Sequence, residues 1–193
     1  CPELSLEKVP LAQSFLNIMA GWQNALVVGD VGIRASSHNY GYFPLWDAIW
    51  PIRDFLWQHQ WEEARKMLRY LLSYPHMEAM PWASMHLILQ LNEYLAYCDD
   101  TEMVQFALPY LKRFLDVGLR LSEPKTGLLA SLDNAANDKP QEAGITGFYC
   151  ASCVNGFWYG GLRTAANLLG ECGESFWQQR CLETADRVEK SFL

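Results

Sequence analysis

Apolar residues recur at helical spacing along almost the whole chain. Leu11, Phe15, Ile18, Trp22 and Leu26 form a first stripe, and Trp61, Ala64, Leu68 and Leu71 another. Met85, Ile88, Leu91, Leu95 and Cys98 follow, then Val104, Leu108, Leu111, Leu115 and Leu119. Trp158, Leu162, Ala165 and Leu169, and Trp177, Cys181, Ala185, Val188 and Phe192, complete the series. Steps of three and four place each set on one side of a helix, the signature of an amphipathic helix resting on a core. The pattern predicts an all-α chain with about seven helices.

Turn chemistry divides the stripes. Gly29, Asp30 and Gly32 end the first helix, and residues 31–36 are expected to include a short extended piece. Ser73-Tyr74-Pro75 closes a later one, because a residue before proline avoids the α conformation. Cys98-Asp99-Asp100-Thr101 makes a tight helix–helix link in which Asp100 or Thr101 caps the next helix and Glu102 sits in its first turn. Gly170-Glu171-Cys172-Gly173 is a second link, with Gly170 expected at the left-handed C′ position. Short links make antiparallel pairs, and the two long ones, residues 28–45 and 121–154, are where function is expected.

The 193 residues carry a formal charge of −7 and no basic cluster. Nucleic acid binding needs a positive footprint, so that class is excluded. The apolar runs are too short to span a bilayer. Half the residues are hydrophobic and 13% are aromatic, enough for a bulky core and also for stacking platforms under sugar rings. Cys150-x-x-Cys153 with Cys172 and Cys181 loosely resembles a four-thiolate zinc site, but the spacing of the last pair favours ordinary reduced cysteines, and no metal or cofactor is expected. The chain starts at Cys1, which suggests a processed or excised polypeptide.

The least core-like stretch is residues 40–54, which crowds aromatics, Asp47, Arg53 and Asp54 together. Pro51 suits the first position of a helix, so a helix from Ile52 to about Gln58 is expected, with Arg53 and Asp54 in its first turn. A fixed guanidinium beside a fixed carboxylate can grip sugar hydroxyls through charge-assisted hydrogen bonds. The same pair can also be a salt bridge that orders the helix start. FPLWDAIWPIRDFLWQHQWEEARKMLRYLL (residues 43–72) resembles the aromatic–Trp–x–Arg–Asp helix of glucoamylases and of the glucosidase domain of glycogen debranching enzymes. In those families the Arg-Asp pair holds the glucose ring beside the cleaved bond, and the match falls on Trp50, Arg53 and Asp54. Pro51 and Ile52 stand here where the debranching pattern has a glycine.

GLLASLDNAAND (127–138) and CASCVNGFWYGGLRTAANLLGE (150–171) look like the debranching-enzyme Gly-Leu turn, acidic segment and Val-Glu-x-Asn-Ala-Leu-Trp-Tyr helix. Val154, Asn155, Trp158 and Tyr159 keep parts of that motif, while its acidic residue is missing. The resemblance implies a six-hairpin (α/α)6 toroid, with residues 1–193 as one partial catalytic-type domain. It also implies inverting hydrolysis of α-glucosidic or related bonds. Inversion needs two carboxyl groups roughly 6.5–9.5 Å apart, an acid and a base.

Asp133 is the candidate acid, with Asp138 and Glu142 as rivals and an Asx turn as its structural alternative. The base is expected in a later hairpin, from the remainder of the domain or a self-associating chain. Trp46, Asp47, Trp50, Arg53 and Asp54 would line the sugar subsite, with Asn155, Trp158 and Tyr159 beside it. The implied partner is an oligosaccharide or polysaccharide substrate. Rhamnosidases, trehalase-like enzymes and sugar phosphorylases share the scaffold, and a non-catalytic helical-repeat binder is the rival from another class. His86, on a helix with Trp82, is expected as an ordinary partly exposed or hydrogen-bonded histidine, or as a polar residue lining the barrel mouth.

Overall fold

The computed structural model describes residues 27–28, 32–33, 45–75, 77–79, 81–129 and 152–192. Apart from a two-residue antiparallel ladder, β1 (Val27–Val28) on β2 (Gly32–Ile33), their regular structure is helical. The expected extended piece therefore exists at β2. The first predicted helix lies outside the described residues. The chain divides into two compact units, Cys1–Tyr70 and Leu71–Leu193.

In the first unit, α1 (Leu45–Trp57) buries Ile49, Ile52, Phe55 and Leu56, a stripe of threes and fours. It begins seven residues before the expected start, so Pro51 lies inside it and Arg53 and Asp54 sit near its end. Proline cannot donate to the carbonyl four residues back, yet the buried stripe on both sides of Pro51 keeps the helix continuous. The helix stops in a Schellman motif. Gln60 N–H donates to Phe55 O at 2.9 Å and His59 N–H to Leu56 O at 3.1 Å, with His59 in the left-handed conformation, φ 58°. α2 (Trp61–Leu72) then buries Ala64, Met67 and Leu68, and its Glu62 and Glu63 complement the positive end of the helix dipole.

The second unit opens with the end of α2, at the Ser73-Tyr74-Pro75 stop, and a 3₁₀ turn (Met77–Ala79). α3 (Pro81–Tyr97) starts with proline at its first position, where no N–H partner is lost. Every residue from Pro81 to Ile88 is buried, as are Gln90, Leu91 and Tyr94. Asp100 caps α4 (Thr101–Leu121) by accepting from Met103 N–H at 2.9 Å, and it also accepts from the Tyr94 hydroxyl at 2.7 Å. The buried face of α4 is Met103, Ala107, Leu111, Phe114, Leu115 and Gly118, rotated from the expected Val104–Leu108 side.

α5 (Ser152–Glu171) and α6 (Ser175–Phe192) form the second short-linked hairpin. The link turns at Gly173, φ 75°, with Glu174 N–H donating to Leu169 O and Gly173 N–H to Gly170 O. Gly173, not Gly170, is therefore the left-handed residue. Gly170 stays helical; a Cβ there would lie 2.3 Å from Gln178 Nε2, the far end of a flexible side chain that can turn aside. α3 packs on α4 and α5, α5 on α6, and the 3₁₀ turn on α3 and α4. Gly161 lets α5 approach α3, because a Cβ there would meet Met85 Cβ at 2.5 Å. Ion pairs Arg113–Glu78 (3.2 Å) and Lys112–Glu174 (2.5 Å) tie α4 to the 3₁₀ turn and to the α5–α6 link.

Candidate functional site

The expected sugar-binding residues fall into two groups, one in each compact unit. In the first unit α1 carries Trp46, Asp47, Trp50, Arg53 and Asp54. The backbones of Trp46, Asp47 and Trp50 are helical, and their side chains lie outside the described set. Arg53 is partly buried and Asp54 exposed, beside the stripe that anchors the helix. Desolvation raises the Asp54 carboxyl above its ordinary value, and the charge of Arg53 pulls it back down. Although much of Asp54 meets solvent, its carboxyl is close enough to protein for desolvation to be the larger effect.

In the second unit α5 presents Asn155, Trp158 and Tyr159. Asn155 and Trp158 are wholly buried, and the structure brings them together on the turn that follows α4. The Asn155 side chain accepts from Leu129 N–H at 2.7 Å and donates to Leu129 O at 3.1 Å. Trp158 Nε1 donates to Gly127 O at 2.9 Å.

The turn itself is built locally. Glu123 Oε2 accepts from the Thr126 N–H (2.6 Å) and hydroxyl (2.7 Å), Gly127 N–H closes onto Glu123 O, and Ser122 bridges Leu129. Gly127 has φ 71°, and a Cβ there would press on the Thr184 carbonyl at 2.9 Å. Asn155 and Trp158 thus hold the 122–129 turn in place and have their polar atoms engaged within the protein.

Tyr159 points to another neighbour. Arg163 lies over its ring, 5.4 Å from the centroid, and pairs with Asp186 (2.8 Å) and Glu189 (2.9 Å) of α6. Asp133, with Asp138 and Glu142, lies outside the described residues.

Compared with family models, with curated proteins and with solved structures, the chain finds no match.

A polar cluster in the core of the second unit accompanies these groups. His86 and Gln90, a turn apart on α3, approach at 3.4 Å, and the His86 ring packs on Phe157 at 4.7 Å between centroids. The i,i+4 spacing of two polar residues in an otherwise apolar helix is the signal for it, but Phe157 lies too far along the sequence to be paired with them in advance. His86 is thus a buried, hydrogen-bonded histidine.

Among the described residues no group of three His, Cys, Asp or Glu is placed to hold a metal. Cys172 and Cys181 are free thiols there, and burial pushes Cys181 up to about 12. No described helix is long and apolar enough to cross a membrane.

Proposed function

We propose that the chain is part of a glycoside hydrolase of the (α/α)6 type, acting on α-glucosidic or related bonds by inverting acid–base hydrolysis. The observation that carries this reading is the Arg53–Asp54 pair. A cation and a carboxylate follow one another on a helix that Ile49, Ile52, Phe55 and Leu56 root in core, which is what holding a ring of hydroxyls requires. Short-linked antiparallel hairpins, α3–α4 and α5–α6, are the repeating unit such a toroid would need. Asp133 follows in sequence the 122–129 turn that Asn155 and Trp158 hold. The second carboxylate, the base, would come from outside this chain or from another copy of it.

In this reading Arg53 donates to two neighbouring hydroxyls while Asp54 accepts from one. A charge-assisted hydrogen bond contributes about 1.5–3 kcal/mol, which is about tenfold in affinity or more. Titrating tryptophan emission with linear gluco-oligosaccharides and with acarbose tests it. A saturable change is expected, weakened at least about tenfold in Arg53→Ala and in Asp54→Asn. No change on adding either sugar, or equal affinity in both variants, would remove the proposal.

A further inference from the structure

We draw no further inference here: the strongest candidate, the small apolar cleft where Leu95, Val104, Leu108 and Cys172 meet between α3, α4 and the end of α5, is an apolar surface with nothing in the structure to show what covers it.

Discussion

Asn155 closes on the backbone of Leu129 with both ends of its amide, one side chain doing for the loop what a neighbouring strand does in a sheet. The two residues are 26 apart in sequence and almost wholly buried, so neither hydrogen bond has water as an alternative. Removing the amide leaves a buried N–H and a buried C=O unsatisfied, at about 1–3 kcal/mol for each. Asn155→Ala should therefore destabilise the protein by about 2–6 kcal/mol. Urea unfolding followed by circular dichroism measures it; a loss below about 1 kcal/mol would mean that the clamp is dispensable.

Two glycines should respond to alanine with opposite signs. A Cβ at Gly118 would fall 2.5 Å from Trp158 Cζ3, and that indole is held in place by Gly127. Overpacking costs about 1–3 kcal/mol, against a gain of about 1 kcal/mol from helix propensity, so Gly118→Ala is expected to destabilise. Gly156 has nothing within 4 Å, so Gly156→Ala should stabilise by about 0.5–1 kcal/mol. Thermal unfolding of the pair reads the contrast directly, and shifts of the same sign would contradict it.

Cys181 should be inert in the folded protein. Its thiol is buried and pushed up to about 12, and the thiolate is the reactive form. Iodoacetamide at pH 8.5, followed by peptide mass mapping, should leave Cys181 unmodified until denaturant is added. Partly exposed Cys98 should label before it. Labelling of Cys181 at the rate of Cys98 would show that the α5–α6 interface opens readily.

The turn after α4 should weaken in acid. Hydrogen bonds from the Thr126 side chain and backbone hold the Glu123 carboxyl below its ordinary value of 4.5. A depressed folded pKa means that the ionised form stabilises the fold above pH 4.5, and that this contribution fades as pH falls through the lowered value. Wild type should then be more stable than Glu123→Gln at pH 7, with the gap closing toward pH 3. A gap independent of pH would deny the carboxylate its role.

For the proposed reaction, Asp133→Asn should abolish turnover of a starch or malto-oligosaccharide substrate by the complete catalytic assembly while acarbose binding persists. The loss expected for a missing general acid is on the order of 10²–10⁴ in kcat. Turnover at the wild-type rate would remove Asp133 from the mechanism.

The helices were legible because their stripes are written in the local sequence, and Asp100 was legible as a cap because its partner Met103 is three residues away. Two local rules were outvoted. Pro51 marked a helix start that the buried set of Ile49, Ile52 and Phe55 overrode, and Gly170 resembled a stop although the left-handed turn falls three residues later at Gly173. Asn155 and Trp158 carried a motif, but their partners Leu129 and Gly127 lie a long loop away, so nothing nearby announced that their polar atoms were engaged within the fold. Arg53 and Asp54 were expected as neighbours, and their electrostatic coupling follows from that adjacency.

α3 is sheathed in protein along its first eight residues, and a stretch with no water-facing side cannot fray inward from a wet face. The amide hydrogens of that stretch meet solvent when α4 and α5 are pulled away. The slowest-exchanging amides of the molecule should therefore lie between Met85 and Leu91, and their exchange rate would gauge the integrity of the whole second unit.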